Sequence, residues 1–237
     1  MTALLGAAEV VALQRFPVKS MGGESLPETE LAAHGLVGDR AWAVYGADAK
    51  LASGKHSRRF RRMDPVFELR ARREADGVTL VLLPDGSSLE AGLSGTDERL
   101  SHHFGEPVSL RVEGDVMHQD AASLSIVGTA TLAELGRHEG DGRPLDPRHL
   151  RANVVVATEV PYAEESWVGR EVTIGAVRVR VTEPIERCRM VGVAQAGLPE
   201  RPGMLQAISD HHRLLAGIYA SVAAPGWLAL GHSARPA

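Results

Sequence analysis

The segment Glu171-Val172-Thr173-Ile174-Gly175-Ala176-Val177-Arg178-Val179-Arg180-Val181 alternates apolar and polar residues on both sides of Gly175. A period of two sends successive side chains to opposite faces, so this segment predicts two antiparallel strands joined by a turn at Gly175. An isolated hairpin is marginal in water and needs more strands to cover its apolar face. The chain offers them as short apolar runs at 10–16 (closed by Pro17), 41–45, 66–72, 108–112, 124–127, 154–157, 217–223 and 227–230, with 26–33 extended. A further strand at 78–83 turns back at Pro84-Asp85-Gly86. Helices are expected only at 96–104, with Thr96 as cap and Gly105 as stop, at 132–138, at 204–214 and as a short piece through the arginine run 58–62. The tail 233–237 is expected to fray. The fold class is therefore mainly β with a few short helices. Aromatic residues are only 4% of the chain, so aliphatic side chains must fill the core. The rhythm changes near Glu113-Gly114-Asp115, which divides the chain into 1–114 and 115–237.

The alternating segment leads into Glu183-Pro184-Ile185-Glu186-Arg187-Cys188-Arg189-Met190, which holds the only cysteine in 237 residues. Pro184 is expected to stop strand pairing, leaving Cys188 on irregular backbone just past a strand end. Two readings stay open: a small buried apolar residue, or a thiolate with a task. Arg187 and Arg189 flank the thiol, and nearby cations favour the thiolate. A single cysteine excludes an internal disulfide and an all-cysteine iron–sulfur cluster within the chain.

The net charge of −4 gives no reason to expect nucleic acid. The cluster Arg58-Arg59-Phe60-Arg61-Arg62 suits a small anion or a protein partner instead. No apolar run approaches the roughly 20 residues of a membrane span, and the first residues lack the features of a signal peptide, so a cytoplasmic protein without membrane contact is expected. Further anion-suited places are the loop Lys19-Ser20-Met21-Gly22-Gly23, the pair Asp39-Arg40, and the start of the 132–138 helix at Gly128-Thr129-Ala130-Thr131. The adjacent His102 and His103 point in different directions on a helix and do not make a metal pair.

Six motifs follow one another in the chain: Phe16-Pro17-Val18-Lys19-Ser20, Gly35-Leu36 with Asp39-Arg40-Ala41-Trp42, Leu150-Arg151-Ala152-Asn153-Val154-Val155, Tyr162-Ala163-Glu164-Glu165-Ser166-Trp167, Arg187-Cys188, and Gly217-Ile218-Tyr219-Ala220 with 226–231. In this order they resemble the MOSC family, named for the C-terminal domain of molybdenum cofactor sulfurase. The likeness is to members with an N-terminal β-barrel, such as the mitochondrial amidoxime-reducing component and its bacterial relatives. The resemblance implies a β-barrel domain packed on a second barrel that carries the cysteine. It also implies molybdenum cofactor (molybdopterin), with Cys188 as the molybdenum ligand. Lys19, Ser20 and Arg40 would hold the pterin and its phosphate. Thr129, Arg151, Asn153 and Arg187 would complete the cofactor site. The implied activity is reduction of N-hydroxylated small molecules, fed by a separate ferredoxin or flavoprotein. Asp120 and His118 are candidates to manage protons, and Ser53 and Lys55 to contact substrate. Sulfur transfer or C–S cleavage at Cys188 without molybdenum, and a non-catalytic cofactor carrier, are the alternatives. This chain departs from the family pattern at Met21, at Gly128 (commonly serine), at Ala152 (commonly proline) and at 191–195.

Overall fold

The computed structural model describes residues 6–140 and 142–237. In chain order the first half runs β1 (Ala8–Arg15), β2 (Glu24–Leu26), β3 (Glu28–Ala32), β4 (Gly35–Leu36), β5 (Trp42–Gly46), β6 (Leu51–Ser53), β7 (Phe60–Arg62), β8 (Arg70–Arg73), β9 (Thr79–Leu82), β10 (Ser88–Glu90), α1 (Thr96–Phe104) and β11 (Val108–Val112). The second half runs β12 (Leu124–Gly128), α2 (Thr129–Glu139), α3 (Pro147–Leu150), β13 (Val154–Val156), β14 (Glu171–Ile174), β15 (Val177–Glu186), α4 (Met204–His212), β16 (Leu215–Ala224), β17 (Gly226–Ala229) and β18 (Ser233–Pro236).

The predicted hairpin is β14–β15, and Ile174 faces Val177 across its turn. Gly175 there has φ +57°, and a side chain at that position would run into the His232 ring. Val172, Ile174, Val177, Val179 and Val181 are completely buried, as their alternation requires. They line a closed barrel of seven strands in the order β13-β12-β16-β15-β14-β18-β1, with β1 pairing back onto β13. Closure removes the exposed edges that an open sheet would present. Trp167, Leu13, Ile126 and Ile218 share this core with the valines. Strands β3 and β4 form a small sheet with β17, so β1 and β3 both pair with strands of the second half. The rest of the first half builds the sheet β11-β5-β6-β7 and the sheet β10-β9-β8, over a separate core of Val44, Val66, Phe67, Leu69 and Leu100.

Several local expectations are corrected. Pairing does not stop at Pro184: β15 runs to Glu186, with Pro184 opposite Ile218. The register shifts on both sides of Pro184, so the missing N–H falls at an irregularity rather than inside a regular ladder. The tail does not fray. It forms β18 between β14 and β1, and fully buried Ala234 helps seal the barrel. The arginine run is a strand, β7, parallel to β6. The helical turn comes afterwards at Asp64–Glu68, where Pro65 fixes the first turn, so the next strand starts only at Arg70. Thr96 does not cap α1. Gly95 occupies that position, and the Thr96 hydroxyl donates to the Glu90 carbonyl at 2.7 Å.

Candidate functional site

Cys188 lies just past the end of β15 and opens the helical turn Arg189–Val191. Its backbone is fixed on both sides. Arg187 N–H donates to the Leu214 carbonyl at 2.8 Å, and Val191 N–H donates to the Cys188 carbonyl at 3.2 Å. The segment is also tied to the first half. Arg189 Nη1 donates to the Gly54 carbonyl and to Asp64 Oδ1, both at 3.0 Å. Arg62 and then Arg189 hold the Asp64 carboxyl down at about 2.

Cys188 is half-buried and lines a cavity of about 380 Å³. Of the residues singled out from sequence, Lys19, Ser20, Arg40, Ser53, Lys55, Asp120, Arg151, Asn153 and Arg187 line the same cavity. They come from both halves of the chain, so the barrel closure that pairs β1 with β13 also assembles this wall.

The cations are fixed by backbone geometry. Ser20, Arg40 and Arg151 all have left-handed backbone, at φ 69°, 51° and 52°. Each such non-glycine residue costs roughly 1 kcal/mol, a strain that clusters at functional sites. The Arg40 and Arg151 guanidinium groups both pack over the Phe16 ring, at 4.9 and 4.3 Å from the ring centre. Arg40 pairs with buried Asp39 and donates to Asn153 Oδ1 at 3.2 Å and to the Arg151 carbonyl at 3.2 Å. The Asn153 amide also bonds Ser125 and the Gln14 carbonyl, so this side chain orients Arg40 and joins three strands' worth of backbone. The Ser20 hydroxyl donates to the Ala52 carbonyl at 3.0 Å.

Two guanidinium groups have donors to spare. Arg151 Nη1 donates to the Met21 carbonyl at 2.7 Å, and Arg187 donates to the carbonyls of Ala216 and Leu150, both at 2.8 Å. The Nη2 atom of each is buried without a hydrogen-bond partner among the described residues. Burial pushes Arg151 down to about 9, helped by the neighbouring Arg40 charge, and pushes Arg187 down to about 10. Lys19 is buried as well. Burial lowers it to about 8, against the opposing pull of Asp120 at 3.0 Å. Burial alone would raise the Asp120 carboxyl, but Lys19 and Lys55 hold it well below the usual carboxylate range. At neutral pH Asp120 is thus an ion-pair partner, not a stored proton. A buried donor without an acceptor is costly, so this wall is stabilised by whatever anion fills it.

Two expected site residues stand elsewhere. His118 is fully buried outside the cavity, with Nδ1 against the Arg40 carbonyl at 2.9 Å and Nε2 against the Tyr45 hydroxyl at 3.0 Å. Both ring nitrogens are used, and burial lowers its pKa, so it braces the Arg40 turn. Thr129 also stays out of the cavity. Its hydroxyl donates to the Thr158 carbonyl at 3.1 Å and accepts from Thr158 N–H at 2.9 Å. The start of α2 is filled by the protein's own carboxylate. Glu164 Oε1 accepts from Gly128 N–H at 3.0 Å and from the Thr131 hydroxyl at 2.8 Å. A side chain at Gly128 would reach within 2.7 Å of Glu164 Oε2, which explains glycine there.

Sequence reading missed Tyr219. It lies opposite Ser125 on β12 and opposite Glu183 on β15, and all three line the cavity. Its neighbours Ile218 and Ala220 are fully buried in the barrel, and the signal in the sequence was a lone tyrosine placed between two apolar residues of an alternating strand. Among the described residues, no group of three or more His, Cys, Asp or Glu side chains is placed to hold a bare metal ion. No described helix is long and apolar enough to cross a membrane.

Comparison with known proteins agrees with this architecture. The chain is 24% identical over 245 residues to molybdenum cofactor sulfurase of Danio rerio, covering 82% of this chain and 29% of that protein. It is 23% identical over 262 residues to the human molybdenum cofactor sulfurase, covering 87% of this chain and 29% of that protein. The chain thus spans less than a third of the curated relatives it matches. The solved structure of the YuaD protein from Bacillus subtilis superposes with a TM-score of 0.55 at 17% identity, covering 96% of this chain and 94% of that one. The MOSC N-terminal beta barrel domain profile matches residues 7–124 and the MOSC domain profile matches residues 100–235, so the chain belongs to the MOSC domain family.

Proposed function

We propose that the cavity beside Cys188 binds a molybdenum-bearing pterin phosphate and that the protein uses it to reduce N-hydroxylated small molecules. The carrying observation is the spare Nη2 donor on each of Arg151 and Arg187, in the wall that the only cysteine shares. Guanidinium and ammonium groups are the chemistry a phosphate dianion needs, and a soft thiolate suits a sulfur-rich metal centre. Lys19, Arg40, Arg151 and Arg187 would hold the phosphate and pterin, and Cys188 Sγ would ligate the metal. Bound there, the group would supply the two-electron step in which an N-hydroxyl substrate, two protons and two electrons become an amine and water. The chain's own part is binding and orientation. Asn153 and Asp39 aim Arg40, while Arg189 anchors the cysteine turn to Asp64. Ser53 and Lys55 lie in the same wall and are assigned to substrate. Electrons would come from a separate ferredoxin or flavoprotein, since one cysteine cannot hold a four-thiolate cluster. The test is N-hydroxyl reduction with a chemical electron donor, using protein from a host that makes the cofactor. Wild type turns over, and Cys188→Ser loses activity with its fold intact. Full activity in Cys188→Ser would overturn the reading.

A second reading has a specific support: the zebrafish and human relatives compared above are molybdenum cofactor sulfurases. Cys188 would then carry sulfur or cleave C–S bonds as a nucleophile. Metal-free protein that turns over a thio-substrate, and loses this with Cys188→Ser, would select it.

A further inference from the structure

We infer that Asp120 decides which anions enter the cavity: its carboxylate is the resident counter-ion of Lys19, and an incoming phosphate must displace it. The inference rests on the cavity being an anion site, and its test needs no molybdenum. Lys19 is 6% exposed, and its one ion-pair partner among the described residues is Asp120, at 3.0 Å. Asp120 also lies 3.6 Å from Lys55 and 4.0 Å from Arg59. It therefore sits among cations that a phosphate would use, in the cavity where Arg151 and Arg187 keep free donors. The backbone under it is fastened separately. Arg59 Nη2 donates to the Asp120 carbonyl at 3.0 Å, and Gln119 Nε2 donates to the His34 carbonyl at 3.1 Å. The Asp120 side chain is 47% exposed, so its carboxylate has room to turn to water while the loop stays in place.

The consequence is selectivity. Inorganic phosphate brings only its charge, and part of that gain is offset by breaking the Lys19–Asp120 pair. A phosphate monoester with an organic body brings further contacts with the half-apolar lining at Pro184, Ile185 and Met190. Asp120 thus weakens both alike and sets a threshold, which an organic phosphate passes through those further contacts and the free ion does not.

The probe is inorganic phosphate, titrated by calorimetry at fixed ionic strength against the metal-free full chain. Asp120→Asn keeps the shape and removes the competing charge, and phosphate affinity should rise by about tenfold. Asp48→Asn, which removes an acid paired with Arg61 outside the cavity, should change nothing. In a Lys19→Gln background the gain from Asp120→Asn should shrink, because the 3.0 Å pair with Lys19 carries the largest part of the competition while Lys55 and Arg59 lie farther off. Equal or weaker phosphate binding in Asp120→Asn overturns the inference. So does an undiminished gain in the Lys19→Gln background, or no phosphate binding by either protein. Failure here leaves the cofactor reading to its own assay, because tight organic-phosphate binding and turnover do not depend on this competition.

Discussion

Two places in this molecule are equally suited to an anion on sequence grounds, and the fold treats them oppositely. At the start of α2, the free N–H of Gly128 and the hydroxyl of Thr131 meet the buried carboxylate of Glu164. In the cavity beside Cys188, Arg151 and Arg187 each keep a buried donor with no acceptor among the described residues. The first place is satisfied by the chain itself and serves stability. The second is left incomplete. Residue types do not separate them; the hydrogen bonds already made do.

The comparison is broken most severely by removing Glu164. Glu164→Ala leaves the Gly128 and Thr131 donors unmet and a void beneath α2, and should destabilise the protein by about 2–4 kcal/mol in chemical denaturation. Its response to phosphate should persist. Conversely, Arg151→Leu with Arg187→Leu should weaken phosphate binding by about tenfold or more while denaturation midpoints move far less, since two buried charges are relieved as three carbonyl contacts are lost.

A pH series sharpens the same contrast. The folded-state values of Lys19 and Arg151 are depressed to about 8 and about 9. Between these and their ordinary values, the unfolded chain binds more protons than the folded one, so the unliganded protein gains stability as pH rises from about 8 towards 10. Phosphate affinity should fall across that window, because the cations that hold it are being discharged. Thermal unfolding with and without phosphate, compared with Lys19→Met, reads both trends. The smallest effect belongs to Thr129→Val: loss of its two bonds with Thr158 should cost about 1 kcal/mol, with phosphate affinity unchanged.

The strands were legible where alternation and Gly or Pro punctuation coincide, as in the hairpin around Gly175. What could not be read locally was partnership. The tail reads as polar and short, yet it closes the barrel because Ala234 fills a gap between distant strands. The proline at 184 reads as a stop, but the flanking register shifts accommodate it. That Lys19, Arg40, Arg151 and Cys188 share one cavity was foreshadowed only by type, because charged and nucleophilic residues stand out against an aliphatic chain. His118 and Thr129 misled because their chemistry is consumed by Tyr45, the Arg40 carbonyl and Thr158, partners far away in sequence. Tyr219, quoted within a motif, was not assigned to the site because only the pairing with Ser125 and Glu183 brings it to the cavity.

The most direct test is elemental analysis for molybdenum on protein purified from a cofactor-competent host, for wild type, Cys188→Ala and Arg151→Leu. Stoichiometric metal in wild type, lost in both variants while their folds are kept, is what a half-filled wall of cations beside a free cysteine predicts. Metal absent from the wild type, or retained equally in all three, would contradict it.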